Sequence, residues 1–387
     1  MHVPVFFQNV VDSQKGGSPR GIASVCSAHR VVLEAAMIQA REDGLPVLIE
    51  STINQVNQFG GYTGMTPEGF RRLVESAAES MGFPKDRIIV GGDHLGPYPW
   101  RTESAESAME KSRGLLAASV SAGYGKIHLD ASMPLGGDAL GPGGRLDPRT
   151  VAEREADLAL AAEESFRAFH TDFPEASPPV YVIGTEVPPP GGIASSEDAV
   201  PVTRVEDFRE TVALCKEAFR AKRLEDAWSR VCAVVAQPGV EYGDLEVHEY
   251  DPGEAAALCR AARESPGIVL EGHSTDYQKP AALSRLIARR GHHQGRSRPH
   301  LRAPGVPVQP GVDRAGAVPE PGQRDTVGPA GDPGPGHAGR SRPLGGILLR
   351  HRGAKAPGPQ VQLLRPLPIL LGRPEDAGGG RAPPGEP

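Results

Sequence analysis

Short apolar runs alternate with longer amphipathic stretches seven times over the first 290 residues. Each run is apolar at consecutive positions, as expected of parallel strands that are buried on both faces. Helix start signals follow several runs, for example Thr66-Pro67 and Asp147-Pro148. This alternation predicts an α/β fold with a parallel sheet. The predicted strands cover residues 21–26, 47–51, 87–90, 126–129, 180–184, 231–236 and 268–270, and four predicted helices cover 68–81, 149–169, 205–221 and 253–264.

Loops rich in polar and ionisable residues follow the predicted strands. This pattern favours a (β/α)8 TIM-type barrel that is truncated after its seventh unit. The alternative is a doubly wound open sheet. However, the first strand is followed by SVCSAH (24–29) and not by a glycine-rich dinucleotide turn, so we expect no nucleotide cofactor. An eighth strand is due near residue 292, where the sequence has no strand character. The predicted divisions are an N-terminal extension (1–17), the barrel (18–290) and a C-terminal tail (291–387).

The composition changes abruptly near residue 290. All aromatic residues lie at or before Tyr277, and glycine, proline and arginine fill 50 of the 97 positions from residue 291 onward. Such a segment is too poor in aromatic and branched residues to build a core, so we predict that the tail is disordered. Residues 1–290 carry a net charge of −12. This charge argues against a nucleic-acid partner, because nucleic-acid-binding proteins collect positive charge on one face.

The cysteines and the N-terminus bear on the cellular compartment. The four cysteines have neither the spacing of a metal site nor the density of a disulfide framework. The first 20 residues lack a secretory signal, and no stretch approaches the roughly 20 apolar residues that span a bilayer. These features predict a soluble cytoplasmic protein without a membrane partner.

Two histidines follow predicted strands at positions where their side chains can meet. In a parallel barrel the carboxyl ends of the strands converge on one mouth. His94 follows the third strand and His273 follows the seventh, each with carboxylates beside it. Neutral imidazoles plus a carboxylate suit a divalent transition metal such as Zn²⁺. The alternative is structural, because a histidine in a loop commonly donates to a backbone carbonyl.

Polar side chains at the same strand ends are candidates for binding a substrate. The amides that follow the second strand suit sugar hydroxyls, although such amides also brace long loops through backbone hydrogen bonds. The candidate substrate-binding residues are Glu50, Asn54, Gln55, Asn57, Gln58, Asp130, Ser132, Gln237 and Ser274.

Long blocks of residues in matching order resemble the GatZ/KbaZ family over about residues 18–290. The blocks include NQVNQFGGYTGMTP (54–67), GGDHLGP (91–97), KIHLDAS (126–132), GTEVP (184–188), VAQPGVE (235–241) and HSTDYQ (273–278). The resemblance implies an aldolase-type barrel that serves as the accessory, nominally non-catalytic subunit of class II tagatose-1,6-bisphosphate aldolase. It implies two partners. One is the catalytic subunit, which the accessory subunit stabilises for full activity in galactitol and N-acetylgalactosamine breakdown, and the other is a ketose phosphate or bisphosphate.

By the same resemblance, Asp93 and His94 look like the catalytic-acid and metal-ligand pair of class II aldolases, and His273 looks like a later zinc ligand. Glu186 and His128 both qualify as the third ligand. Some family members look like metal-dependent epimerases that act at carbon 4 of ketose phosphates. In that alternative Asp93, Glu186 or Asp276 moves protons beside the metal. A sugar-phosphate-binding protein without turnover is a third interpretation.

The resemblance to the family stops near residue 291, where the tail begins. Codons can be chosen for residues 292–302 so that reading one base later gives Thr-Thr-Lys-Val-Gly-Pro-Ala-Leu-Thr-Tyr, which resembles the strand that family members have here. This compatibility favours a frameshift near residue 291, in the gene or in its sequencing. A genuine linker rich in proline, glycine and arginine is the alternative.

Overall fold

Seven parallel strands form one curled sheet in the computed structural model, which describes residues 1–141, 144–184, 200–243 and 246–288. The strands pair in chain order, and every pair is parallel. The result is a half-barrel with β1 and β9 at its two edges. The strands of the sheet are β1 (Ser24–Cys26), β2 (Val47–Thr52), β3 (Ile88–Leu95), β4 (Lys126–Leu129), β5 (Val180–Ile183), β6 (Val231–Val235) and β9 (Val269–Glu271). A separate antiparallel hairpin is formed by β7 (Glu241–Tyr242) and β8 (Val247–His248).

Helices connect the strands, and two of the start signals in the sequence operate as caps. Thr66 Oγ1 accepts the backbone N–H of Gly69, and Asp147 Oδ1 accepts that of Arg149. The helices are α1 (Val3–Lys15), α2 (Arg30–Glu42), α3 (Pro67–Met81), α4 (Ala105–Ser121), α5 (Pro148–Asp172), α6 (Val205–Ala221), α7 (Glu225–Ser229), α8 (Ala256–Glu264) and α9 (Pro280–Ala288). The predicted α/β alternation is therefore confirmed.

Two predicted boundaries are wrong by several residues. The third strand was predicted to end at residue 90, where the apolar pattern stops, but β3 continues to Leu95. Ladder pairing uses backbone groups, so Gly91 and Gly92 stay paired to β2 without side chains. The helix predicted from residue 253 begins at Ala256, because the Gly253 N–H donates to Asp251 Oδ1 in a turn before it.

Alternate strand residues face the helices and the concave side of the sheet. On β2, Ile49 packs among residues of α2 and α3, whereas Leu48 packs on the concave side. On β4, Ile127 faces the helices, whereas Lys126 and His128 make their hydrogen bonds on the concave side. The concave side is therefore apolar near the strand starts and polar toward the carboxyl ends.

Helix α1 fills the end of the half-barrel near the strand starts. Phe7 and Val11 are buried against Leu48 and Ile89. The segment predicted as an N-terminal extension (1–17) thus packs against the concave face through this helix. The physical reason is helical spacing, which places the apolar residues of the segment on one face that needs cover.

Some predictions concern residues outside the described ranges. The tail (291–387), for which disorder and a frameshift were predicted, lies within the undescribed residues 289–387, and Glu186 lies within the undescribed residues 185–199. These statements stay predictions. Among the described helices, none is long and apolar enough to cross a membrane.

Candidate metal centre

Asp93, His94, His128 and His273 converge at the carboxyl ends of the strands. One ligand atom from each residue lies within 4.8 Å of the other three, so the group could hold a metal ion. β3 supplies Asp93 and His94, β4 supplies His128, and the loop after β9 supplies His273. The ring centroids of His94 and His273 are 4.8 Å apart. The structure thus brings together the two histidines that were expected to meet at one mouth.

A bulge in β3 lets two consecutive residues reach the same site, although neighbouring strand residues normally point to opposite faces. The register between β3 and β4 shifts between Gly92 and Leu95, and His94 has a left-handed φ of 49°. With this backbone, His94 Nδ1 lies 2.9 Å from Asp130 Oδ2. A left-handed φ is strained for a residue with a side chain, and such strain clusters at functional sites.

The contacts of His128 require one additional positive charge between this residue and Asp93. Its Nε2 atom lies 3.0 Å from the carbonyl oxygen of Gly184, which only accepts, so Nε2 carries the proton and donates. Its Nδ1 lone pair then accepts the backbone N–H of His94 at 3.1 Å. Asp93 Oδ1 lies 2.9 Å from the same Nδ1. Both of these atoms are acceptors, so the contact needs an additional proton or a cation that binds them.

Charges within the cluster shift the pKa values of its members. Burial alone would raise the pKa of Asp93, but His94 and His273 hold it well below its usual range. Burial alone would lower the pKa of His94, but Asp93 and Asp130 raise it to about 9. The cluster therefore pairs ionised carboxylates with positive charge, and a metal ion can supply that charge in place of protons.

A buried ion-pair triad lies next to the cluster on the concave side. Lys126 Nζ donates to both carboxylate oxygens of Glu50, at 2.9 and 3.0 Å, and to Glu271 Oε1 at 3.0 Å. Glu271 Oε1 also lies 3.2 Å from His273 Nε2, which connects the triad to the cluster. Glu50 is only 1% exposed. Glu50 is therefore an ion-pair partner in the barrel interior, and its predicted contact with substrate stays a prediction.

Comparison with known proteins agrees with the resemblance in the motif blocks. The family model described as "D-tagatose-1,6-bisphosphate aldolase subunit GatZ/KbaZ-like" matches residues 7–292. The chain belongs to the GatZ/KbaZ-like family. All members of the cluster, and the triad beside it, lie within the matched range.

Among curated relatives, the chain is 49% identical over 280 residues to the D-tagatose-1,6-bisphosphate aldolase subunit GatZ of Escherichia coli O7:K1 (strain IAI39 / ExPEC). It is 48% identical over 280 residues to the protein of the same name from Salmonella dublin. Each match covers 72% of this chain and 64% of the relative. A solved structure of a probable tagatose 6 phosphate kinase from Sinorhizobium meliloti 1021 is 44% identical, with a TM-score of 0.61. That match covers 70% of this chain and 62% of the solved one. The chain thus spans under two thirds of the length of these relatives.

The amides predicted to bind substrate mostly brace loops. The side chains of Gln55, Asn57 and Gln58 hydrogen-bond to backbone groups at 2.8–3.2 Å. Gln237 Oε1 accepts two backbone N–H groups of its own loop, each at 2.9 Å. Each of these four side chains thus braces a loop through at least one backbone contact, and the binding of substrate by these residues stays a prediction. Asn54 lies half-buried in the first of these loops, and its role stays a prediction.

Asp130 and Ser132 lie beside the cluster and orient one of its members. Asp130 Oδ2 contacts His94 Nδ1, while its Oδ1 accepts the hydroxyl of Ser132 at 2.7 Å. A carboxylate in this position fixes the ring orientation of a candidate metal ligand. Ser274 and Asp276 follow His273 in the chain but do not belong to the four-residue cluster. Their predicted roles stay predictions.

Lys126 and Glu271 were not among the residues predicted from the sequence. Each stands two positions before a histidine of the cluster, so strand alternation places it on the same side as that histidine. A lysine at the start of an apolar strand was the available signal. Cys26, one of the four cysteines without metal-site spacing, has its Sγ 3.4 Å from Asp93 Oδ2.

Proposed function

We propose that this chain acts as the accessory subunit of a class II tagatose-1,6-bisphosphate aldolase, with the catalytic subunit as its partner and a ketose phosphate or bisphosphate as its ligand. The family match over residues 7–292 carries the proposal, since the matched relatives bear the name of that aldolase subunit. The pathway is the breakdown of galactitol or N-acetylgalactosamine in the cytoplasm. Since the chain spans 64% of those relatives, these properties of the whole protein are inferred.

The chain's own residues fit a divalent metal ion. Three imidazoles and one carboxylate, from Asp93, His94, His128 and His273, suit Zn²⁺ or a similar ion. Ligand atoms about 2.0–2.1 Å from zinc lie within roughly 4 Å of one another. The observed limit of 4.8 Å therefore needs only small side-chain movements. The two facing acceptors, His128 Nδ1 and Asp93 Oδ1, support a cation at this point.

A bound metal of this kind would polarise a carbonyl of the sugar phosphate. Asp93 would be ionised at neutral pH, because its pKa is held well below its usual range, which suits a carboxylate ligand of a metal, and it is one candidate for moving protons. Asp130 would hold the His94 ring in place through Nδ1. Glu186 and Asp276 are the other candidates for moving protons.

Mixing the full chain with the catalytic subunit of a tagatose-bisphosphate aldolase tests the accessory role. We expect faster cleavage of tagatose 1,6-bisphosphate and a higher melting temperature of the catalytic subunit. The His94→Ala variant should activate almost as well, because stabilising a partner does not need the metal. If the two proteins do not co-elute and cleavage is unchanged, the accessory role is wrong.

A metal-dependent ketose-phosphate 4-epimerase is the second candidate, and the intact cluster favours it. An accessory role alone gives no reason for four potential ligand atoms to meet within 4.8 Å. The test is conversion of fructose 6-phosphate to tagatose 6-phosphate by the chain alone with added Zn²⁺ or Mn²⁺. Turnover that disappears in His94→Ala and His273→Ala supports the epimerase. A folded wild-type chain without turnover at any metal concentration contradicts it.

A further inference from the structure

Glu155 is a fully buried acid on α5 with no ion-pair partner within the described residues. The neighbouring buried positions of this helix, such as Ala152, Ala156 and Ala159, are alanines that let the helix approach the sheet closely. Glu155 Oε1 accepts the backbone N–H of Gly184 at 3.2 Å. Its Oε2 lies 3.1 Å from the Cys215 thiol, which donates to it. The polar atoms of Glu155 are thus directed at the end of β5.

Gly184 connects Glu155 to the cluster. Its N–H is held by Glu155, and its carbonyl oxygen lies 3.0 Å from His128 Nε2. Gly184 has a left-handed φ of 78°, which a residue with a side chain adopts only under strain. A Cβ atom added here would also lie 3.1 Å from Val234 Cγ1. The conformation that presents this carbonyl to His128 is therefore specific and needs an anchor on its N–H side.

We propose that Glu155 is a positioning residue that fixes the tautomer of His128. By holding Gly184, Glu155 keeps a carbonyl acceptor in front of His128 Nε2, so the proton stays on Nε2 and the Nδ1 lone pair faces Asp93. This inference rests on the proposed metal site, because a fixed tautomer matters most where a histidine has to present a lone pair to a metal.

The energetics argue against a purely structural role for this acid. A buried carboxyl is costly compared with an apolar side chain of similar size, and one backbone N–H and one thiol compensate for it only weakly. Burial raises the pKa of Glu155 to about 8, and the charge of Asp130 adds to the shift. In the protonated acid one oxygen still accepts the Gly184 N–H, while the hydroxyl donates to Cys215 Sγ in place of accepting its thiol hydrogen. A glutamine makes the same two contacts, with its oxygen on the Gly184 N–H and its amide N–H on Cys215 Sγ, whereas methionine makes neither.

The test uses the full-length chain with ¹⁵N-labelled histidine and no metal, followed by zinc titration. The His128 signals, assigned with His128→Ala, should show protonation at Nε2 in the wild type and in Glu155→Gln. In Glu155→Met they should shift toward a mixture of both tautomers, and the zinc dissociation constant should rise about 10–100-fold. Glu155→Asp, which is one methylene too short to reach Gly184, should behave like Glu155→Met and serves if that variant does not fold.

Tyr181→Phe is the matched control, because Tyr181 Oη donates to Glu163 Oε1 at 2.5 Å and so joins the same strand and helix away from Gly184. It should lower stability while leaving the His128 signals and the zinc affinity unchanged. Wild-type His128 signals in both Glu155→Met and Glu155→Asp would overturn the inference, as would equal shifts in Tyr181→Phe. If no variant binds zinc but Glu155→Met shifts the tautomer, the inference stands and the metal proposal fails.

Discussion

Asp93 Oδ1 lies 2.9 Å from His128 Nδ1, across two neighbouring strands of the half-barrel. The same imidazole donates through Nε2 to Gly184, so Nδ1 faces the carboxylate with a lone pair. Two acceptors in contact need a proton or a cation that binds both of them. The stability of the surrounding barrel and the properties of the site both depend on the buried charges around this contact.

Replacing Lys126 by methionine should destabilise the barrel strongly. The change leaves the carboxylates of Glu50 and Glu271 without the ammonium group that joins them. Breaking one side of a buried ion pair costs about 3–5 kcal/mol in the free energy of unfolding. Urea denaturation at pH 7 measures it. The matched control is Lys222→Met, whose half-buried pair with Asp157 should contribute less than about 1 kcal/mol. Equal losses in both variants would show that the triad does not stabilise the interior.

Replacing Gly96 by alanine should disturb both the fold and the site. An added Cβ atom would lie 1.6 Å from the backbone oxygen of Asp130, so the backbone of this residue, whose side chain contacts His94, has to move. We expect a loss of about 3 kcal/mol or more in stability, measured by denaturation, together with weaker zinc binding. Gly114→Ala is the control. Gly114 lies within α4, and the nearest neighbour of an added Cβ atom there would be Gln58 Nε2, 3.7 Å away. That variant should gain about 0.5–1 kcal/mol. A stable Gly96→Ala variant with normal zinc affinity would contradict the close approach.

The stability difference between Glu155→Gln and the wild type should depend on pH. The folded chain keeps the Glu155 proton up to a pKa of about 8, whereas the unfolded chain releases it near the ordinary value of 4.5. This group's contribution to stability is therefore fully present below pH 4.5 and is lost as the pH rises through 8. Glu155→Gln keeps an uncharged side chain at every pH, so it should become increasingly more stable than the wild type between pH 5 and pH 8.

Thermal unfolding of both proteins in a series of buffers measures this dependence, and taking the difference removes the contributions of His94, Asp93 and the other groups that titrate in both proteins. Cys215, Asp130 and His128 are the titratable groups near Glu155 and are unchanged in the variant. A difference that is flat from pH 5 to pH 9 would show that Glu155 is not protonated in the folded chain.

Removing the Phe7 ring should destabilise the whole half-barrel, because α1 packs against the concave face through Phe7 and Val11. Phe7→Ala should cost about 3–5 kcal/mol in the free energy of unfolding, as expected for a large buried side chain. Val5→Ala is the control on the same helix, since Val5 is 55% exposed and should change stability by less than about 0.5 kcal/mol. If Phe7→Ala lowers the free energy of unfolding no more than Val5→Ala does, α1 does not stabilise the half-barrel.

Pattern and spacing predicted the seven strands and the meeting of His94 with His273, because both follow from which strands are parallel and where they end. They did not predict that consecutive Asp93 and His94 face the same site, since this depends on a bulge that only the pairing with β4 imposes. Alternation within β4 would have placed Lys126 on the same side of the sheet as His128. It would not have paired Lys126 with Glu271, because the two residues come close only when the sheet curls.

Other features depend on packing between elements that local sequence does not encode. The role of Glu155 depends on how α5 is rotated against β5, so its position within the helix gave no signal. The amides of Gln55, Asn57 and Gln58 are chemically suited both to sugars and to backbone groups. Only the path of the loop shows which backbone groups each of these amides contacts.

The metal content of the folded chain is the most direct test of the proposed metal centre. The full-length wild type and the His94→Ala and His273→Ala variants are loaded with zinc, dialysed and measured by mass spectrometry of the metal, with circular dichroism as the check on folding. We expect about one tightly held zinc per wild-type chain and its loss from both variants without a change in the fold. A folded wild-type chain that holds no zinc, or variants that hold as much as the wild type, would contradict it.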